Sequence, residues 1–201
     1  MSLGEYKRRR RFGVTPEPAP ALEPEPASAP RFVIQKHDAS SLHYDLRLEH
    51  GGVLKSWAVP KGLPTPNDPR KLAVHVEDHP VEYIDFSGEI PKGEYGAGTV
   101  EIWDSGFYET LDDFTKGMES GKLTVRLSGD RVSGEFSLVR MKDKGQGTGK
   151  GKADNWLLLL HKKGRLNPDL LAEGAAAPMP AKVDPMQAIL GDRPFSSPDF
   201  I

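Results

Sequence analysis

The sequence predicts a mainly β fold: a small closed or nearly closed β-barrel of about eight strands, with one short helix and extended termini. Three observations carry this. Between Arg31 and Lys163 short runs alternate in apolar character, glycine, proline and Asn/Asp turn signals separate them at close spacing, and eight such runs fit the length.

The chain starts with a basic cluster, KRRRR at Lys7 to Arg11. It continues at 15–30 as TPEPAPALEPEPASAP, a proline, alanine and glutamate composition with almost nothing to bury, so an extended, polyproline-like linker is expected. Strands are expected at 31–35, 43–49, 55–58, 72–77, 99–104, 122–127, 131–140 and 155–161, with EHGG and LSGD as turns. One helix is expected within 111–121, where Asp112 or Asp113 can cap it and Gly121 can end it. KGQGTGKGK at 144–152 has no apolar strand feeding it, as a phosphate loop requires, and reads as a flexible hairpin tip. The expected organisation is a basic arm and linker at 1–30, a barrel at 31–165, and a largely disordered tail at 166–201.

Composition narrows the chemistry. A net charge of −2 gives no global argument for nucleic acid, so any basic surface must be local. The absence of cysteine excludes disulfides and thiolate metal sites, leaving oxygen and imidazole ligands. The longest apolar run, WLLLL at Trp156 to Leu160, is too short to cross a bilayer, and no apolar segment follows the basic start. A soluble, cytoplasmic protein without membrane association is expected.

QKHDASSLHYDLRLE, residues 35 to 49, concentrates the ionisable chemistry. On a strand, Tyr44, Leu46 and Leu48 face one way and His43, Asp45, Arg47 and Glu49 the other, so one face reads as core and the other as a site. From this strand alone, a solvated face of mixed charge explains the pattern equally well. His37 shifts the balance, because a turn-like DASS can fold it back beside His43 and Asp45. Two imidazoles and a carboxylate suit manganese, iron or zinc, and Arg47 one strand step on offers a fork for phosphate or carboxylate. In KLAVHVEDHPVEYIDF, Leu72, Val74 and Val76 read as a core face with His75 on a solvated exterior. His79 then falls at a strand end before Pro80, free to lean over a neighbouring site, with Tyr83 close by. His50 and His161 have no sequence neighbours that suggest a role.

With LKSWAVPKG, VEDHPVEY and GEIPKGEYGAGTVEIWD following in order, the sequence resembles the 3'-phosphoesterase domain of bacterial DNA ligase D, over residues 5 to about 163. That resemblance implies a metal-dependent enzyme of non-homologous end joining, typically using manganese or another divalent transition metal. It removes a 3'-terminal ribonucleoside and then the 3'-phosphate from primer-template or duplex DNA ends, leaving a 3'-hydroxyl. Carried over by position, it implies His37, His43 and Asp45 as metal ligands and Arg47, His79 and Tyr83 as phosphate-binding and catalytic residues. Glu77, Lys61 and Lys71 take supporting roles, and the arm brings Arg10 and Glu17 to the site, with Glu17 the candidate reader of the 2'-hydroxyl. Lys61, Lys71 and Lys92 with the basic cluster would supply local attraction for the backbone. Arg11 departs from the pattern, since some members carry an acidic residue there. The ending VDPMQAILGDRPFSSPDFI resembles the lead-in to a ligase domain, so ligase and polymerase domains and the end-binding Ku protein are expected partners of a monomer. Two other readings fit the residues: a non-haem iron oxygenase using HYD with a later histidine, and a DNA-end binding module without catalysis.

Overall fold

The period-two runs fold as antiparallel strands, and each of the eight expected strands is present. The computed structural model describes residues 2–21, 29–142, 154–161 and 165–166. In chain order the elements are α1 (Leu3–Arg9), β1 (Arg31–Asp38), β2 (Leu42–His50), β3 (Val53–Val59), β4 (Arg70–His75), β5 (His79–Pro80), a 3-10 helix (Val81–Asp85), β6 (Gly88–Ile90), β7 (Gly98–Thr110), α2 (Phe114–Ser120), β8 (Lys122–Gly129), β9 (Val132–Arg140), β10 (Asp154–Leu160) and β11 (Arg165–Leu166). The path β1-β2-β3-β4-β10-β9-β8-β7 is antiparallel throughout and closes where β7 pairs with β1. Closure of these eight strands removes the exposed edges an open sheet would present.

Two apolar layers share the β1–β3 wall. Inside the barrel, Phe32, Ile34, Leu46, Leu48 and Trp57 pack with residues of the later strands, including Phe136 and Trp156. Outside it, Val33, Leu54 and Val100 are covered by Tyr6 of α1 and by Tyr83, Ile84 and Phe86. The wall is therefore buried on both faces, and Asp45, Arg47 and Glu49 of β2 are as enclosed as Leu46 and Leu48. A bulge where β7 skips a residue opposite Ile34 and Gln35 reverses the phase of that strand. Val100 and Ile102 consequently serve the outer layer, whereas Asp104 and Tyr108 point inward beyond the bulge. There Asp104 accepts four backbone N–H bonds, from Ser105, Asp130, Arg131 and Val132, which tie β7 to the β8–β9 turn. Burial pushes its carboxyl up to about 6 against the pull of those donors.

The expected helix is α2: the Asp113 side chain accepts from Lys116 N, and Gly121 closes it at φ 80°. Three expectations are corrected. The facing of β4 is reversed: Ala73 and His75 point inward, His75 lying 5.1 Å from the Trp57 ring, while Leu72 is exposed. Two indoles already fill this part of the barrel, so the small Ala73 and the flat imidazole fit where Leu72 and Val74 would overpack. The arm contains a second helix, α1, because Tyr6 buries its ring completely and anchors it. The linker composition also hides packed positions: Thr15, Glu17 and Ala29 are buried. The hairpin-tip segment 144–152, linker residues 22–28 and the tail 167–201 lie outside the described residues. None of the described helices is long and apolar enough to cross a membrane.

Candidate active site

Antiparallel pairing sets His37 of β1 directly opposite His43 of β2, and Asp45 shares their outer face two residues along. The imidazole centroids are 4.7 Å apart, His37 Nδ1 is 3.8 Å from Asp45 Oδ2, and His43 Nε2 is 3.9 Å from Asp45 Oδ1. One ligand atom from each of the three residues falls within 4.8 Å of the others. Each ring has its free nitrogen chosen by the backbone. His37 Nε2 donates to the Gly96 carbonyl at 2.9 Å and His43 Nδ1 to the Ser41 carbonyl at 2.9 Å. A carbonyl only accepts, so both protons are committed outward and the lone pairs of His37 Nδ1 and His43 Nε2 converge on the carboxylate. Burial alone would raise the Asp45 carboxyl, yet the Arg47 guanidinium beside it holds its pKa below the usual range. This nitrogen and oxygen donor set fits a divalent transition ion with coordination positions to spare.

Arg47, one further strand step along, lies almost wholly buried with its fork fixed on two sides. Nε donates to Gln35 Oε1 at 2.7 Å and Nη2 to Asp45 Oδ2 at 3.0 Å. Gln35 is itself held because its Nε2 donates to the Tyr83 and Phe86 carbonyls. Nη1 of Arg47 is buried without a partner among the described residues. The guanidinium lies 4.8 Å from the Tyr83 ring centroid.

The arm completes the site. Arg10 donates from Nε to Glu17 Oε1 at 2.8 Å, from Nη1 to Glu77 Oε1 at 2.9 Å, and from Nη2 to His79 Nε2 at 3.2 Å. Arginine cannot accept, so His79 Nε2 carries a lone pair and its Nδ1 donates to the Glu77 carbonyl. Burial first, then Arg47 and Arg10, hold the His79 pKa well below the ordinary imidazole value, leaving the ring neutral. The Tyr83 hydroxyl donates to Glu17 Oε1 at 3.3 Å, and burial raises its pKa. Arg9 donates to the second oxygen of Glu77. Arg9, Arg10 and Arg47 thus balance Asp45, Glu17 and Glu77 around a cavity of about 310 Å³ whose lining includes Arg10, His37, His43, Asp45, Arg47, His79 and Tyr83.

The family model described as DNA Ligase D 3'-phosphoesterase domain matches residues 35–140, over half the chain and all three candidate ligands. This chain belongs to that family. Part of each of several curated proteins is similar to this chain. The chain is 48% identical over 164 residues to the multifunctional non-homologous end joining protein LigD of Pseudomonas aeruginosa, covering 81% of this chain and 19% of that one. It is 44% identical over 192 residues to the protein of the same name from Mycolicibacterium smegmatis, covering 90% and 24%. It is 51% identical over 138 residues to the multifunctional non-homologous end joining DNA repair protein LigD of Mycobacterium tuberculosis H37Rv, covering 69% and 18%. The chain spans about a fifth of the length of these curated relatives.

Of the residues singled out in the sequence of this family member, His37, His43, Asp45, Arg47, Glu77, His79, Tyr83 and Arg10 line one cavity. Glu17 does not line it. Its carboxylate is held by Arg10 Nε and the Tyr83 hydroxyl, two residues that do line the cavity. Lys61 is exposed beyond β3, and Lys71 is engaged by Asp68; neither is on the cavity wall. Arg11 turns outward to pair with Glu94, whereas Arg10 turns inward to Glu17 and Glu77. The iron-oxygenase pattern required a later histidine with His43 and Asp45, but the third member assembled here is the earlier His37. Sequence reasoning missed Gln35, which steers Arg47 and whose only signal was its place two residues before His37 on the same strand face. It also missed Tyr6 and Tyr95, aromatic residues against Arg10 and Arg9.

Proposed function

We propose that the chain is a metal-dependent DNA 3'-end processing phosphoesterase of non-homologous end joining. It removes a 3'-terminal ribonucleoside and then the 3'-phosphate, leaving a 3'-hydroxyl for polymerase and ligase. The observation that carries this reading is the pair of imidazoles whose tautomers converge their lone pairs on Asp45, next to the buried Nη1 of Arg47, which has no partner among the described residues. His37, His43 and Asp45 would hold the ion, for which manganese is our choice. When bound, it supplies a Lewis acid for a phosphoryl oxygen.

The protein's own groups divide the remaining work. The three guanidiniums and three carboxylates around the cavity balance, so a divalent ion and a phosphate dianion enter as a neutral pair without leaving uncompensated buried charge. Arg47 Nη1 donates to an equatorial oxygen, where negative charge develops in the transition state. His79 is neutral at rest with its Nε2 lone pair accepting from Arg10 Nη2, so it takes a proton or a substrate hydrogen bond there only once Arg10 turns that donor to the entering phosphate; the anion also offsets the two arginines beside the ring and eases its protonation. Arg10 holds that nitrogen in place, and Glu17 and Glu77 hold Arg10, which makes both carboxylates positioning residues.

The test is a 5'-labelled primer-template ending in one ribonucleotide or in a 3'-phosphate, incubated with manganese and resolved on a denaturing gel. Conversion to a 3'-hydroxyl by the wild type, and by neither His43→Ala nor the metal-free protein, is the expected result. Retention of DNA and manganese with no conversion of either end would instead make this a DNA-end binding module.

A further inference from the structure

We propose that Tyr95 is a stacking platform for the base of the 3'-terminal nucleotide, held in place by Arg9; the proposal rests on the end-processing reading above. The cavity lining includes two phenol rings. Tyr83 is 2% exposed and packed edge-on against His79, so it has no open ring surface to offer. Tyr95 is 47% exposed, yet it is not a loose surface ring. Arg9 Nη1 donates to its hydroxyl at 2.6 Å, the Arg9 and Arg10 guanidiniums lie 4.8 Å and 5.4 Å from the ring centroid, and Arg9 Nη1 also reaches Glu77, which leaves the exposed part of the ring for a base. A fixed, open aromatic surface beside a guanidinium is what base stacking on a protein uses, and the contact tolerates any base because every base has a π-face.

The ring is also tied to the metal-ligand cluster. The next residue, Gly96, supplies the carbonyl that fixes the His37 tautomer, so the Tyr95 backbone is one peptide from a contact with a candidate ligand. The loop from Pro91 is turned by Glu94 N to Pro91 O and Ala97 N to Glu94 O bonds. It closes on the end of β1 at Gly98, where a Cβ would come within 2.3 Å of the Asp38 carbonyl. A strand whose terminal phosphate sits between Arg47 and the ligand cluster has to lead its sugar and base out through the open side of the cavity. Tyr95 lines that cavity and offers its exposed aromatic surface.

The experiment compares kcat and KM of the wild type, Tyr95→Ala and Tyr95→Phe on two 3'-phosphate primers, one with a normal terminal nucleotide and one abasic at that position. On the base-bearing end Tyr95→Ala is expected to lose about 5- to 150-fold in kcat/KM, mostly through KM, the equivalent of stacking one base. Tyr95→Phe keeps the ring and stays within about twofold of wild type, and on the abasic end all three proteins converge. An equal loss by Tyr95→Ala on both ends, a loss by Tyr95→Phe as large as that of Tyr95→Ala, or no loss at all would each overturn the stacking role. Failure of the wild type on both ends would overturn the end-processing reading, and the stacking proposal with it.

Discussion

Arg10→Met is the sharpest perturbation of the way the arm seals the site. The arginine side chain is 5% exposed, and its partners Glu17 and Glu77 are 0% and 3% exposed at the side chain. Removing it leaves Glu77 with Arg9, but leaves Glu17 with only the Tyr83 hydroxyl at 3.3 Å, since Glu17 Oε2 has no partner among the described residues. Breaking a buried pair in this way costs about 3–5 kcal/mol, which for a chain of this length lowers the unfolding midpoint by about 6–20 °C. The arm can also open without unfolding the barrel, so the same cost is read as faster limited proteolysis after the basic residues of α1. Adding Glu17→Gln removes the stranded charge, and the double variant is expected to regain about half the loss or more. Thermal unfolding and proteolysis of the three proteins side by side are the assays. A single variant within about 1 kcal/mol of wild type and equally resistant to protease would refute the sealing argument, as would a double variant as unstable as the sum of its parts.

Three further perturbations test other parts of the structure. His43→Ala removes one of two imidazole donors and should weaken manganese binding at least about tenfold, followed through the spectroscopic signal of free manganese; unchanged affinity would displace the ion from this cluster. Asp104→Asn replaces an oxygen that accepts backbone N–H bonds with an amide that cannot, so stability should fall by about 2–4 kcal/mol in denaturant titration; an unchanged midpoint would refute the role of these four bonds. His75 is buried against Trp57 and Trp156, and burial lowers its pKa although Asp154 pulls the other way. The unfolded chain therefore takes up that proton first: the contribution of His75 is complete above about pH 6.5 and is lost as pH falls below it. His75→Phe should flatten the decline in stability between pH 7 and 5, where a single such group contributes up to about 1.4 kcal/mol per pH unit; an unchanged slope would contradict the assignment.

The strand alternation and turn residues determined the barrel class, because period two and closely spaced Gly, Asn and Asp signals are local properties of a chain. The same locality made His43, Asp45 and Arg47 legible, since strand geometry alone sets them on one face, and a single hairpin returns His37 to them. What lies over that face was decided only in three dimensions. The facing of β4 depended on the volume left by Trp57 and Trp156, which no hydropathy pattern records. The arm is rich in charge and proline and poor in large apolar residues, so its docking rests on one buried tyrosine and on ion pairs to residues some seventy positions away. Charge in a sequence does not say which partner it will meet: neighbouring arginines diverge, Arg10 to the buried Glu17 and Glu77 and Arg11 to Glu94 at the surface. Side-chain chemistry and strand spacing thus specified the candidate ligands, while long-range packing and pairing decided how the site is closed, because those energies depend on contacts between distant segments.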